Sequence, residues 1–376
     1  MKRYLEDVLY PDLKEKIVFL SGPRQVGKTT LAQSLKLTQT YLNFDSLKDR
    51  RIIKNEEWNR DVELVIFDEL HKMKNWKSWI KGIYDTEGIP PALLITGSAR
   101  FDIHKKSGDS LAGRYFSFRL HPFSVNEVCT FSDITPQEAV RRLMLYGGFP
   151  EPFLKNNAVF ARRWRRSHLE TIIHEDLLDL ENVRDIKSIE LLIDLLRTRV
   201  GSIVTYQSLA EELQVSSPTV KHWLQILENL YIIFPVRTYH KNIARSILKG
   251  TKYYFYDTGA VEGDDGAKLE NLTACAFLKE LQFLEDTTGS RCALHYLRDK
   301  EKREVDFLLV VDNRPVYLIE VKLNDDSFSP ALFHYNKRLP AARAVQIVLN
   351  LRKQKTKGTL QMHPAAEFLK DFKLSS

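Results

Sequence analysis

Long apolar runs, cysteine and any strong charge imbalance are scarce in this chain of 376 residues. No apolar segment approaches the ~18 residues that a bilayer span needs, and the opening MKRYLEDVLY lacks the apolar stretch of a secretory signal. Three cysteines, Cys129, Cys275 and Cys292, are too few and too scattered for a disulfide framework or a zinc site. A membrane partner and an oxidising compartment are thereby set aside, and a cytoplasmic location is expected. The net charge of +7 is mild; it favours an anionic partner. Basic residues gather in FARRWRRSH (160–168) and LRKQKTKG (351–358), which composition alone reads as a solvated helix face and a solvated loop. The length leaves room for two to three domains, and 43% apolar residues supply their cores.

What is present begins with KIVFLSGPRQVGKTTLAQSL. Ile17 to Leu20 read as a short buried strand, and GPRQVGKT fits the phosphate-loop pattern G-x-x-x-x-G-K-[ST] without a gap. Glycines at Gly22 and Gly27 let the backbone N–H groups of Pro23-Arg24-Gln25-Val26 and their neighbours turn around phosphate oxygens; proline itself adds no donor. The following helix, opened by Lys28, Thr29 and Thr30, adds its positive dipole end. Lys28 is expected to reach the β- and γ-phosphates of ATP, with the Thr29 hydroxyl on Mg²⁺. Downstream, ELVIFDELHKM ends an apolar strand (Leu64 to Phe67) in Asp68 and Glu69. Asp68 suits a Mg²⁺ contact and Glu69 suits a general base for the attacking water.

One further strand, TYLNFDS (40–46), falls between these motifs, and another, ALLITGSAR (92–100), follows them. That order resembles the AAA+ branch of the phosphate-loop ATPases. The resemblance implies a γ-phosphate sensor at Ser98 or Thr96, Thr96 being otherwise a plain strand residue. Arg114, in SLAGRYFSF, is a candidate arginine finger or sensor, with a surface ion pair as the alternative. An Arg114 that acted in trans would require a homo-oligomer.

After Pro122 the apolar-strand pattern stops. TPQEAVRRLMLYGG reads as a helix ended by Gly147 and Gly148, the segment near 157–180 as another, and LENVRD (180–185) as a hinge. TYQSLAEELQVSSPTVKHWLQILENLYIIFPVRTY (205–239) predicts two helices joined by a tight turn, with Ser217 as N-cap and Pro218 at the first helical position. Extended residues at 231–239 and 252–256 complete a winged helix-turn-helix. Its outward residues Ser217, Thr219, Lys221, His222 and Gln225 are candidates for DNA contact; docking of a protein partner is the alternative.

Near the carboxy terminus, EVDFLLVVDNRPVYLIEVK (304–322) predicts two strands joined by a turn. Pairing Asp312 with Val316 sets Asp306 opposite Lys322, with Glu320 diagonal to both. Glu270, on a helix upstream, supplies a third carboxylate. Such oxygens suit Mg²⁺, although a one-residue slip would scatter them. This D…ExK pattern resembles the restriction-endonuclease-like superfamily, with Val305 in place of its proline.

The order GPRQVGKTTL, IFDELHKM, LLITGSAR, LAGR, GGFPEP, YYFYDTG, LENLTA, EVDFLL and IEVK resembles prokaryotic AAA+-type ATPases that carry domain of unknown function 4143. The fold expected is α/β: a P-loop AAA+-like parallel sheet (1–130), a helical connection (131–185), the winged helix (186–258) and a restriction-endonuclease-like α/β domain (259–376). The function expected is a Mg²⁺-dependent ATPase acting with DNA, its nucleotide state controlling the later parts. The rivals are an ATP-gated nuclease and a non-hydrolysing nucleotide-switched binding module.

Overall fold

The computed structural model describes residues 1–97, 111–177, 185–239, 250–324 and 327–374. Ser98 and residues 180–184 of the expected hinge lie outside them. The chain divides into two compact units, Met1–His121 and Pro122–Ser376, so the first ends nine residues short of the expected boundary at 130.

The first unit runs α1 (Glu6–Leu13), β1 (Ile17–Ser21), α2 (Lys28–Ser34), β2 (Gln39–Asn43), α3 (Leu47–Asn55), β3 (Leu64–Asp68), α4 (Trp76–Glu87), β4 (Ala92–Gly97) and β5 (Tyr115–Arg119). The strands lie in the order β2-β3-β4-β1-β5, every neighbouring pair parallel. The continuous apolar runs of β1, β3 and β4 are buried on both faces, as an interior parallel strand requires. Phe19, Trp58, Phe67, Trp76 and Ile80 fill one side of the sheet. Parallel strands bring their carboxy ends to one edge. Register sets Ser21 beside Gly97, and Asp68 beside Thr96, so the phosphate loop and the acidic pair meet there.

The second unit opens with helices α5 (Val125–Phe131), α6 (Pro136–Tyr146), α7 (Pro150–Lys155), α8 (Ala158–Thr171) and α9 (Ile186–Arg197). Then come β6 (Ile203–Val204), α10 (Tyr206–Leu213), α11 (Ser217–Asn229), β7 (Ile233–Thr238) and β8 (Thr251–Phe255). The chain closes with α12 (Asp265–Thr288), β9 (Cys292–Arg298), β10 (Glu304–Val311), β11 (Arg314–Lys322), α13 (Pro330–Arg338), β12 (Arg343–Val348), β13 (Lys355–Lys357), β14 (Leu360–Pro364) and α14 (Ala365–Asp371). Thr205 caps α10 in a capping box with Ser208. Ser216, not Ser217, caps α11: its hydroxyl accepts from the Thr219 N–H, and Ser217 is already helical.

All strands of this unit join one mixed sheet, β13-β14-β12-β11-β10-β9-β7-β8-β6. Strand β7 pairs antiparallel with β8 and parallel with β9, so the hairpin expected for a winged helix continues into the terminal sheet. One core accordingly runs through Phe123, Trp223, Tyr254, Phe307 and Phe372, with no break at the expected boundaries of 185 and 258. Both sheet edges are short. β6 has two residues and β13 is an exposed Lys-Thr-Lys, which discourages pairing with another chain.

The register of β10 and β11 corrects the expectation. Asp312 and Asn313 both have positive φ and form a two-residue turn, so Val311, not Asp312, starts the ladder, opposite Arg314. An irregularity at Leu309/Val310 then sets Phe307 opposite Ile319. The next step brings Asp306 opposite Glu320, with Lys322 diagonal. The shift of two residues preserves the face, so the side chains still converge.

Asn271 in α12 is fully buried and joins the helix to β8. It accepts from the Phe255 N–H (2.8 Å) and donates to the Phe255 carbonyl (2.9 Å). Asn271→Leu strands both backbone groups and should cost about 2–4 kcal/mol in urea unfolding. Because the core is continuous, exchange protection in α11 and β10 should fall together; loss in one alone would contradict a single unit.

Candidate functional site

The loop between β1 and α2 owes its shape to three positive backbone angles. These are Gly22 at φ 146°, Gln25 at 60° and Gly27 at 97°. A side chain at Gly22 would also put its Cβ 2.3 Å from the Leu120 carbonyl oxygen. Lys28 is buried, and its ammonium donates to the carbonyls of Gly22 (2.9 Å) and Pro23 (2.8 Å). Val26 is buried, Arg24 half-buried, and Gln25 and Thr30 are exposed at the rim.

Asp68 sits opposite, at the end of β3, and is 4% exposed. Its Oδ2 accepts from Thr29 Oγ1 at 2.7 Å and from the Tyr41 hydroxyl at 2.8 Å, while its Oδ1 accepts from Thr96 Oγ1. Burial, with the Asp68 bond adding to it, pushes the Tyr41 phenol up, so it stays a donor. Glu69 follows in a left-handed conformation (φ 56°), its N–H bound to the Thr96 carbonyl. Its Oε2 is buried without a hydrogen bond, and burial, opposed by Lys28, raises its carboxyl to about 7. His71 Nδ1 lies 3.6 Å away, and burial lowers that imidazole to about 4, so it stands uncharged near neutrality.

These residues fit a magnesium–triphosphate group. Hydroxyl and carboxylate oxygens are the hard donors that Mg²⁺ takes, and a buried ammonium faces the loop's own carbonyls. Arg114 is placed elsewhere. Its guanidinium pairs with Asp85 (2.6 and 3.1 Å) beside the start of β5, the end of the sheet opposite the loop. That ion pair is the surface alternative, and the position removes Arg114 from the cradle of its own chain.

A second polar centre occupies the second unit. Lys252, 1% exposed on β8, donates to Glu304 (2.8 Å) and Glu270 (3.2 Å) and lies 3.6 Å from Asp306. Tyr254 also donates to Glu270 (2.6 Å), and the Val321 N–H to Asp306 Oδ2 (2.9 Å). Lys322 pairs with Glu320 at 2.8 Å, leaving Glu320 Oε2 buried without a hydrogen bond. Burial alone would lower the Lys252 amine, but Glu270, Asp306 and Glu304 outweigh it and hold it above its ordinary value. Burial raises Asp306, with Glu270 and Glu320 adding to it. Burial raises Glu320 too, against Lys322.

The expected carboxylates thus assemble, but around an ammonium. Among the described residues, no group of three His, Cys, Asp or Glu side chains is arranged to hold a metal. A divalent cation and Lys252 would compete for the same oxygens, so the expectation of Mg²⁺ held by Glu270, Asp306 and Glu320 does not fit this donor set. On α11, Lys221, His222 and Gln225 are exposed, and Ser217 and Thr219 are half-buried near its start.

Residues 14–129 match the family described as an AAA domain. Residues 265–368 match a domain of unknown function, DUF4143, and residues 137–262 match another, DUF8612. The chain pairs an AAA domain with a DUF4143 domain. An uncharacterized protein of Mycobacterium tuberculosis is 25% identical over 316 residues, covering 81% of this chain and 70% of its own length. One of Methanocaldococcus jannaschii is 24% identical over 377 residues, covering 90% and 81%. Among solved structures, Thermotoga maritima RuvB aligns at a TM-score of 0.32 and 17% identity, over 61% of this chain and 88% of that one. Among the described residues, no helix is long and apolar enough to cross a membrane.

Sequence reasoning missed Tyr41, His71 and Lys252, and left Thr96 second to Ser98. Lys252 had a signal: a lone charge in the strand TKYYF, buried throughout. Tyr41 had none, since an aromatic residue on a strand is ordinary. Replacing Lys252 with Met removes the shared ammonium from the half-buried Glu270 and Asp306 and leaves Glu304 with Arg298. In urea unfolding at pH 8, Lys252→Met should cost about 3–5 kcal/mol. Protonation relieves those acids, so the loss should shrink as pH falls toward 5. Equal stability of both proteins at pH 8 would remove Lys252 as the counter-charge.

Proposed function

We propose that this AAA–DUF4143 protein is a Mg²⁺-dependent ATPase whose nucleotide state controls its second unit. The observation that carries the reading is Asp68, which draws Thr29 of the loop, Thr96 of β4 and Tyr41 of β2 onto one buried carboxylate beside Lys28. In this reading Lys28 leaves the Gly22 and Pro23 carbonyls to meet the β- and γ-phosphates, and backbone N–H groups of the loop donate to the same oxygens. Thr29 and Asp68 hold Mg²⁺, which when bound neutralises phosphate charge. Glu69 takes the proton of a water that attacks the γ-phosphorus as the bond to ADP breaks. A half-buried carboxylate with a buried, unbonded oxygen and a carboxyl near 7 suits that role. Thr96 reports on the γ-phosphate from the neighbouring strand.

Hydrolysis then acts on the second unit as a body, since its helix pair and terminal sheet share one core. DNA contact by the outward face of α11 is a second reading, favoured by the exposure of Lys221, His222 and Gln225. Cleavage of DNA is not part of the proposal, because Lys252 already answers the carboxylates a metal would need.

Phosphate release from Mg·ATP, with and without duplex DNA, tests the reading. Glu69→Gln should lower turnover roughly a hundred-fold or more while nucleotide still binds. Lys28→Ala should lower it by a similar factor. Wild-type turnover should rise with pH through about 7 as Glu69 loses its proton. Turnover unchanged in both variants contradicts the proposal, and rates indifferent to DNA, with no DNA retained, contradict the second reading.

A further inference from the structure

The phosphate loop is also held from behind. Arg3 is 5% exposed, and its guanidinium donates to the Val26 carbonyl (2.9 Å) and to the His121 carbonyl (2.5 Å). The Tyr4 hydroxyl donates to the Arg119 carbonyl (2.5 Å) and accepts from the His121 N–H (3.2 Å). Leu120 donates to the Ser21 carbonyl (2.8 Å), and its own carbonyl leaves no room for a side chain at Gly22. The segment Arg119–His121 is therefore fastened to both ends of the loop, directly at Ser21–Gly22 and through Arg3 at Val26. His121 is the last residue of the first unit, so every residue of the second unit follows this segment in the chain.

The chemistry gives the contact a direction. The Val26 carbonyl and the Gly27 N–H are two ends of one planar peptide. A cation on the carbonyl polarises that peptide and strengthens the N–H as a donor to anionic oxygen. Conversely, a loop that closes around phosphate turns its carbonyls outward, toward donors such as Arg3.

We propose that Arg3 is a positioning residue that couples the conformation of the phosphate loop to Arg119–His121, so that nucleotide binding is transmitted to the point where the chain leaves the AAA unit. The proposal rests on the ATP-binding reading and deepens it with a route of regulation.

Amide hydrogen exchange at residues 118–121 of the full chain, with and without Mg·ATP, is the test, paired with ATP affinity by titration. In the wild type, ATP should slow exchange there about ten-fold. Arg3→Met should weaken ATP binding about ten-fold, the scale of one charge-assisted hydrogen bond, and abolish the ATP-dependent difference in exchange. Arg3→Lys reaches one carbonyl at a time; it should recover part of the affinity and not the difference. Tyr4→Phe is the control for a merely structural role, speeding exchange at His121 equally with and without ATP and leaving affinity within about two-fold. An ATP-dependent difference that survives in Arg3→Met overturns the proposal. Should Arg3→Met not fold, its survival in Arg3→Lys does so. A wild-type chain that binds no ATP defeats the ATPase reading itself, an outcome distinct from a wild type that binds and an Arg3 variant that is indifferent.

Discussion

A carboxylate removed from water must have its charge answered by donors, and Asp68 meets that requirement from three directions. Thr29 belongs to the first turn of α2, Tyr41 to the edge strand β2, and Thr96 to β4. One side chain thus fixes the depth of the loop helix, the register of an outer strand and the place of a candidate sensor. Parallel pairing of β3 with β4 brings Thr96 beside Asp68, and pairing of β1 with β4 brings the loop to the same edge. Glu69, next in the chain, is swung by its left-handed backbone away from the strand, leaving an oxygen without a bond. The geometry concentrates fixed oxygens and one ammonium where a triphosphate would bring mobile charge.

The second unit meets the same requirement with a cation in place of neutral donors. Four acidic side chains, Glu270, Glu304, Asp306 and Glu320, converge from α12, β10 and β11, and the buried answer is Lys252 from β8. Strand β8 belongs to the hairpin that follows the helix pair, so the counter-charge crosses what sequence reading takes as a domain boundary. With β7 laid along β9 and Asn271 bonded to Phe255, the helix pair and the terminal sheet cannot shift independently. A signal reaching one of them reaches both.

The strongest motifs were legible because their chemistry is local. Gly22, Gly27, Lys28 and Thr29 lie within one turn of chain, and Asp68–Glu69 end a strand whose four apolar residues announce it. Strands β1–β4, β7, β8, β10 and β11 and the helix pair with Thr205 at its start follow from composition and periodicity, whereas sequence reasoning missed β5, β6, β9 and β12–β14. Long-range partners were not legible. Nothing near Asp306 names Lys252, which lies 54 residues earlier and reaches it only through the β7–β9 pairing that no pattern advertises. The register of Asp306 hung on two features that no pattern shows: Asp312 lies in the turn and not the ladder, and the irregularity at Leu309/Val310 shifts the pairing by one residue. Arg114 was ambiguous for the same reason: its sequence neighbourhood left a phosphate contact and a surface ion pair both open, but a parallel strand begins at the edge remote from the loop and Asp85 pairs with it there.

Hydrolysis at Glu69 and coupling through Arg3 both require that the loop admit a nucleotide. Calorimetric titration of ATP into the full chain, once in Mg²⁺ and once in a chelator, measures this directly. The account predicts saturable uptake of one ATP per chain, tighter with Mg²⁺ because Thr29 and Asp68 then have an ion to share. Absence of uptake by folded protein under both conditions would contradict it.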